Sequence, residues 1–185
     1  MCMVSCPFGA ISDKSQIFQL TRALQEEGSE IIAEIAPAFV GQFGENINPR
    51  NIKAALIELG FKGVHEVALG ADIGAVAEAH HYVEKVVTGE LPFLLTSCCP
   101  SWAMLAKKFF PDLIDQISQE LTPMVATARS IKKEHPNAKV VFIGPCAAKK
   151  LEASRRSVRS DVDFVVTFEE LQAMFDAKEI DLSQY

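Results

Sequence analysis

The 185-residue chain lacks the features that mark several large classes of protein. No apolar run approaches the roughly 18 residues that span a bilayer, and Lys and Arg form no stripe of the kind that binds nucleic acid. The 18 basic and 24 acidic side chains give a formal net charge of −6. Internal repeats, low-complexity tracts and Gly/Ser linkers are also missing. We therefore expect a soluble protein with neither a nucleic acid partner nor a membrane span.

The composition does supply a core and an odd number of thiols. Apolar residues make up 49% of the chain, which is enough to bury the core of one domain or of one lobe of a larger domain. There are five cysteines, and no signal peptide is apparent ahead of Cys2. A disulfide framework is disfavoured on these grounds, so we expect a reducing, cytoplasmic setting.

Apolar and amphipathic segments alternate along the chain. Short apolar runs bounded by Gly, Pro or charge predict buried strands at Ile31–Ala36, Val64–Leu69, Phe93–Ser97, Lys139–Ile143 and Phe164–Thr167. Helical patterns fall at Ser15–Glu27, Pro49–Leu59, Ala71–Val87, Pro100–Phe110, Thr122–His135 and Phe168–Ala177. Alternation of this kind predicts an α/β fold with a mostly parallel sheet flanked by helices.

Three of the predicted strands run into unusual loops. These are Ala36-Pro37-Ala38, Ser97-Cys98-Cys99-Pro100 and Gly144-Pro145-Cys146. Ligands bind beyond the carboxyl ends of parallel strands, so we expect the three loops to share one rim of the sheet.

The first two cysteines have the spacing C-x3-C, and Pro7 follows Cys6. A bacterial ferredoxin run, C-x2-C-x2-C-x3-C-P, ligates iron–sulfur clusters through thiolates, and only its last two cysteine positions are present here. Cys2 and Cys6 are therefore candidate cluster ligands. The alternative is a pair of stray thiols at the terminus.

The double cysteine lies where a predicted strand meets a predicted helix. Pro100 suits the first helical turn and biases Cys99 toward an extended backbone. Adjacent residues in an extended chain point to opposite sides, so Cys98 and Cys99 are free to perform different tasks. A helix N-terminus also favours a thiolate. Two buried cysteines that pack as small apolar side chains are the alternative.

Gly144-Pro145-Cys146 is followed three residues later by Lys149. That spacing can direct an ammonium toward an anionic ligand that the Cys146 thiolate holds. A surface Lys pair, Lys149 and Lys150, beside a helix start is the alternative.

These two loops together resemble signature motifs of the catalytic domain of iron-only ([FeFe]) hydrogenases. The motifs are Thr-Ser-Cys-Cys-Pro-x-Trp, at residues 96–102, and Pro-Cys-x-x-Lys-x-x-Glu, at residues 145–152. The resemblance extends to the ferredoxin-like cysteines before Ala10, to Ile35-Ala36-Pro37-Ala38 and to Leu69-Gly70-Ala71-Asp72. The family's third motif, rich in Cys and Gly, has no counterpart here.

The resemblance implies a role for each matching residue. The family's H-cluster joins a [4Fe–4S] cubane through a cysteine to a two-iron centre that carries CO and cyanide. Cys99 and Cys146 match two cubane ligands, and Cys98 matches the thiol that hands protons to the two-iron centre. Lys149 matches the side chain that binds an iron-bound cyanide, and the Pro37-Ala38 segment matches a loop whose backbone lines the other cyanide.

A proton path is also implied, with departures from the family pattern. The path from the thiol falls on Glu78, Ser118 and His81, where His81 replaces the commoner second Glu. Histidine can still shuttle protons. Glu78 lies in the predicted helix Ala71–Val87, whose apolar stripe consists of Ile73, Val76, His80, Val83 and Val87. Glu78 is nearly opposite that stripe, so we expect it at the surface unless a second lobe covers it. The chain departs from the family pattern at two further positions: Gly144 replaces a Met that is common in the family, and Val40 stands where the family often has an Arg.

The resemblance implies that residues 1–12 are the remnant of a ferredoxin-like [4Fe–4S] domain and that residues 13–185 are the first lobe of the catalytic domain. The implied parent reaction is the reversible reduction of protons to H2, with electrons from accessory [4Fe–4S] clusters and ferredoxin or another iron–sulfur carrier. Hydrogenase maturation proteins are the other implied partners. We expect the isolated chain, with two of four cubane ligands, to be inactive. A hydrogen-sensing paralogue and a non-catalytic iron–sulfur assembly relative are alternatives; assembly relatives generally lack the paired cysteines.

Overall fold

The computed structural model describes residues 6–10, 14–159 and 161–185. Four parallel strands form one sheet in the order β2-β1-β3-β4. The strands are β1 (Ile31–Ile35), β2 (Gly63–Glu66), β3 (Lys139–Gly144) and β4 (Phe164–Thr167). The α-helices are α1 (Ile17–Gln25), α2 (Pro49–Leu59), α3 (Val67–Tyr82), α4 (Pro100–Phe109), α5 (Pro123–Glu134), α6 (Ala148–Ala153) and α7 (Phe168–Ala177). The predicted α/β class with a parallel sheet is confirmed.

The two central strands carry the core. Every residue of β1 is buried, as is all of β3 after Lys139, because helices cover both faces of a parallel sheet. The apolar faces of α2, α5 and α7 belong to the same hydrophobic core as these strands, through Leu56, Ala128 and Phe175. The one charged side chain within this run, Glu34, is as buried as its neighbours.

Sequence signals set the helix ends. Asn48 caps α2 by accepting from the N–H groups of Arg50 and Asn51, and Gly60 ends α2 in the left-handed region at φ 117°. Thr167 and Glu170 form a capping box at the start of α7. These local signals explain why the bounds of both helices agree with the sequence predictions.

Two strand predictions are wrong in whole or in part. Phe93–Ser97 is not a strand of the sheet, and its one ladder contact is an isolated bridge between Leu95 and Ile117. The segment pairs locally with the turn that follows α4 and therefore never reaches the sheet edge. The predicted strand Val64–Leu69 ends at Glu66, where α3 begins directly with Val67. The short helix α6 was not predicted.

The predicted buried stripe of α3 is also wrong. Its branched residues face outward, with Ile73 51%, Val76 60%, Val83 57% and Val87 67% exposed. The packed face is instead the small-residue face of Gly70, where an added Cβ would lie 2.5 Å from the Pro123 carbonyl oxygen and 2.2 Å from Thr127 Oγ1. Close approach of α3 and α5 thus decides which face is buried. The helical run continues as a π-helical turn, Val83–Val87.

Candidate functional site

Two of the three predicted loops meet at the carboxyl end of the central strands. Since β1 and β3 are adjacent and parallel, their ends lie side by side, and the Ala36 N–H donates to the Ile143 carbonyl at 2.8 Å. The Pro37–Phe39 segment then forms a 3-10 turn, while Cys146 follows β3 and is exposed. The shared rim is confirmed for these two loops.

The double cysteine sits at the start of α4, as predicted. Cys99 is the N-cap residue, with an extended backbone at φ −102° and ψ 109°. Its Sγ accepts from the Trp102 N–H at 3.5 Å, and the Trp102 indole N–H donates to the Thr96 carbonyl at 3.0 Å. Cys98 and Cys99 are both exposed, so the alternative of two buried packing cysteines is wrong. The loop holds two accessible thiols at a helix N-terminus.

Lys149 joins the double-cysteine loop to the loop of Cys146. Its Nζ donates to the Cys98 carbonyl at 3.1 Å and pairs with Glu152 Oε2 at 2.7 Å. The other Glu152 oxygen accepts from the Thr122 hydroxyl at 2.7 Å. The Lys149 side chain is 13% exposed and that of Glu152 3%, so the alternative of a surface Lys pair is wrong for Lys149. Through this contact the double-cysteine loop lies next to the loop of Cys146, although no strand of the sheet leads into it.

A buried acid lies behind this pair. Glu34 of β1 is fully buried, and neither carboxyl oxygen has a hydrogen-bond partner among the described residues. Burial raises the pKa of Glu34 well above its usual 4.5; Lys149 acts to lower the pKa and Glu152 to raise it. The candidate site thus contains one carboxylate paired with Lys149 and a second, buried carboxyl whose pKa responds to the charges of that pair.

The predicted proton-path residues lie along α3 and the segment before α5. Ser118 is 2% exposed and its hydroxyl accepts from the Glu120 N–H at 3.2 Å. Glu78 follows Gly70 by two helical turns and is half-buried, not surface as expected. His81 is half-buried, and its Nδ1 is enclosed without a hydrogen-bond partner in the described part of the chain. No hydrogen bond joins these three described residues, so the relay stays a prediction.

A polar cleft of about 250 Å³ opens beside the site. Its wall includes Ser97, Ser118, Thr122 and Glu152. Solvent therefore reaches the neighbourhood of the buried ion pair from the side of Ser118.

The two predicted ferredoxin-like ligands, Cys2 and Cys6, lie near the start of the chain. Cys2 lies outside the described residues. Cys6 is half-buried, and its carbonyl accepts from the Gly9 N–H at 3.3 Å. Their predicted role as cluster ligands is not tested by this geometry.

The thiol groups are the right type of ligand for an iron–sulfur cluster, but there are too few of them at the candidate site for a complete cubane. Clusters are held by Cys thiolates, four to a [4Fe–4S] cubane, and Cys99 and Cys146 are accessible on the loops that Lys149 joins. Within residues 6–10, 14–159 and 161–185, no group of three or more Cys, His, Asp or Glu is placed to hold a metal ion. The described residues thus fit part of a cluster site.

Comparison with known proteins decides the family. The family model described as iron only hydrogenase large subunit, C-terminal domain, matches residues 29–185. The chain belongs to this family. The iron-only hydrogenase match includes the double-cysteine loop, Cys146 and Lys149, and it confirms the resemblance that the two motifs carry.

The individual relatives include hydrogenases and an iron–sulfur cluster assembly factor. Iron hydrogenase 1 of Clostridium pasteurianum is 31% identical over 193 residues, which cover 93% of this chain and 33% of that protein. An apo [FeFe]-hydrogenase of Chlamydomonas reinhardtii superposes with a TM-score of 0.78 at 26% identity, over 93% of this chain and 50% of the other. A cytosolic Fe–S cluster assembly factor of Kluyveromyces lactis is 36% identical over 102 residues, 55% of this chain and 22% of that protein. The chain thus spans between about a fifth and a half of these relatives.

Sequence reasoning missed Glu34 and the part that Glu152 and Thr122 play. The available signal for Glu34 was one acid inside an otherwise apolar strand run, Ile31–Ala36. Glu152 is the last residue of the second motif, but its pairing with Lys149 across one helical turn needed the helix α6 that was not predicted. None of the helices in the described part of the chain is both long and apolar enough to cross a membrane.

Proposed function

We propose that this chain is part of an iron-only hydrogenase that reversibly reduces protons to H2. The proposal depends on one contact. The Lys149 ammonium donates a 3.1 Å hydrogen bond to the Cys98 carbonyl and so joins the double-cysteine loop to the loop of Cys146. That contact supports the proposal, because it brings the loops of the two candidate iron ligands, Cys99 and Cys146, next to one ammonium. On this proposal residues 13–185 are the first lobe of the catalytic domain, and residues 1–12 end a ferredoxin-like domain.

Cys99 and Cys146 are the proposed cubane ligands in this chain. Both thiols are exposed, so an iron atom can approach each without unfolding a neighbour. The other two ligands, the bridging one among them, are proposed to come from the family's third motif, which has no counterpart in these 185 residues. The H-cluster supplies the redox chemistry when bound, while the chain holds ligands, orients them and delivers protons.

Cys98 is the proposed proton donor. It is adjacent to the ligand Cys99 but sits outside the cap hydrogen bond that Cys99 Sγ makes with Trp102, so its thiol is available for exchange. Glu78, Ser118 and His81 are the proposed path behind it, and of these three Ser118 lines the polar cleft. Lys149, with the backbone of Pro37 and Ala38, is the proposed binding group for anionic diatomic ligands.

Electrons are proposed to arrive from ferredoxin or another iron–sulfur carrier through accessory [4Fe–4S] clusters, of which Cys2 and Cys6 would hold one. Maturation proteins would insert the two-iron centre. A cytoplasmic location is proposed because exposed, unpaired thiols at Cys98, Cys99 and Cys146 persist in a reducing compartment.

The test is hydrogen evolution by the matured full-length protein with a strong chemical reductant. We expect evolution from the full-length protein and none from the isolated 185-residue chain after reconstitution with iron and sulfide. Absence of hydrogen from a full-length sample that carries a complete complement of iron would contradict the proposal.

A second candidate function is iron–sulfur cluster assembly without hydrogen turnover. The 36% identity to the Kluyveromyces lactis assembly factor favours it. The exposed pair Cys98 and Cys99 favours the hydrogenase. In a strain that lacks its own assembly factor, this candidate predicts restored maturation of cytosolic iron–sulfur enzymes, which the hydrogenase proposal does not.

A further inference from the structure

The buried acid behind Lys149 has no place in the function proposed so far. Glu34 lies mid-strand in β1, where its register partners are His65 on β2 and Phe142 on β3. Residues in register share a face of the sheet. On that face Glu34 is fully buried and both of its oxygens lack a hydrogen-bond partner among the described residues.

Among the described residues, the ionisable groups near Glu34 come from two elements. Helix α6 presents Lys149 and Glu152, which both act on the charge of Glu34, and β2 presents the half-buried His65. Strand β3 presents Phe142, and the buried residues of α5 carry no ionisable side chain. Lys149 is therefore the only lysine or arginine that acts on the charge of Glu34 among the described residues.

One ammonium cannot serve two buried carboxylates equally. Lys149 already pairs with Glu152 at 2.7 Å and donates to the Cys98 carbonyl at 3.1 Å. An ionised Glu34 would be an unpaired charge in the core, which is costly, and it would draw the flexible Lys149 stem inward. A neutral Glu34 makes no such demand on the ammonium.

We propose that Glu34 is a positioning residue of the candidate site: as a neutral acid it leaves Glu152 as the single counter-ion of Lys149 and so keeps the Lys149 ammonium at the Cys98 carbonyl. Loss of the Glu34 proton would withdraw Lys149 from the double-cysteine loop. The proposal deepens the proposed function, since it concerns the same lysine. Its test needs neither the cofactor nor hydrogen evolution, so the two proposals can fail separately.

The test is an NMR titration of the full 185-residue chain labelled with 15N in lysine and cysteine, from about pH 5 to about pH 9, a range that includes the raised pKa values known for buried Glu. Lys149→Met assigns the side-chain signal. We expect the Lys149 signal and the amides of Cys98 and Cys99 to shift together in one step as the pH rises. In Glu34→Gln the step should vanish and the signals should stay at their low-pH positions.

Glu27→Gln, which removes an exposed carboxyl, is the matched control and should keep the step. A step that persists in Glu34→Gln would assign the titration to another group and overturn the proposal. A wild-type chain without any step would overturn it too. If Glu34→Gln lowers the yield of folded chain, Glu34→Met provides a second uncharged side chain for the same comparison.

Discussion

At the residue scale, the site depends on charges held out of water. Glu152 binds Lys149 with one oxygen and the Thr122 hydroxyl with the other. The same two bonds orient Lys149 toward Cys98, so one buried pair both stabilises α6 and positions the ammonium.

Removal of Glu152 is expected to be strongly destabilising. Glu152→Ala leaves the buried Lys149 ammonium without its carboxylate, and losing one partner of a buried ion pair costs about 3–5 kcal/mol. Urea unfolding of the full chain measures the change in the free energy of unfolding. The control is Glu90→Ala, which breaks the exposed pair with Lys85 and should cost no more than about 1 kcal/mol. Equal losses for the two variants would contradict the buried pairing.

Glu34 is expected to make stability fall as pH rises. Its pKa in the folded chain is raised above the usual 4.5, so the folded state holds the proton more tightly than the unfolded state does. The contribution is fully present below pH 4.5 and is lost as the pH rises through the raised pKa. Glu34→Gln cannot ionise, so its stability should gain on that of the wild type by at most about 1.4 kcal/mol per pH unit in this window. Parallel pH profiles in urea unfolding would contradict the raised pKa.

Among the helices and strands, the sequence predicted those whose own pattern and end signals are sufficient. It failed for those whose pairing or buried face is determined by packing against another element. The patterns of β1, β3, β4, α2 and α7 were sufficient, because each has a buried face and clear end signals. Phe93–Ser97 has the composition of a strand, but no sheet edge is available to it. The branched stripe of α3 has the pattern of a buried face, yet the close approach of α3 to α5 needs the glycine face instead.

That close approach gives a matched pair of glycine variants. Gly70→Ala places a Cβ 2.2 Å from Thr127 Oγ1, so α3 and α5 must separate, and overpacking of this kind costs about 1–3 kcal/mol. Gly74→Ala meets only the Leu121 carbonyl at 3.9 Å and should gain up to about 1 kcal/mol from helix propensity. Thermal unfolding of both variants measures the difference, and a Gly70→Ala variant as stable as Gly74→Ala would contradict the crossing.

For the whole molecule, the two loop motifs predicted which residues form the candidate site. The fold added contacts around those residues that the motifs do not show. The same two loop motifs predicted that Cys98, Cys99, Cys146 and Lys149 lie together. The rule that parallel strands end at one rim holds for the loop of Cys146 but not for the double-cysteine loop, which follows no strand of the sheet. The burial of Glu34 without a hydrogen-bond partner among the described residues could not be predicted, because it depends on which side chains the folded core encloses. The outward apolar face of α3, formed by Ile73, Val76, Val83 and Val87, is likewise visible only in the fold.

Neighbouring cysteines are proposed to do different work, with Cys99 holding iron and Cys98 carrying protons. The most direct measurement compares Cys98→Ala with Cys99→Ala in the matured full-length protein, with iron content and hydrogen evolution determined on the same samples. Cys98→Ala should retain the wild-type iron content and evolve no hydrogen, whereas Cys99→Ala should lose both iron and hydrogen evolution. A Cys98→Ala protein that evolves hydrogen at the wild-type rate would contradict the claim.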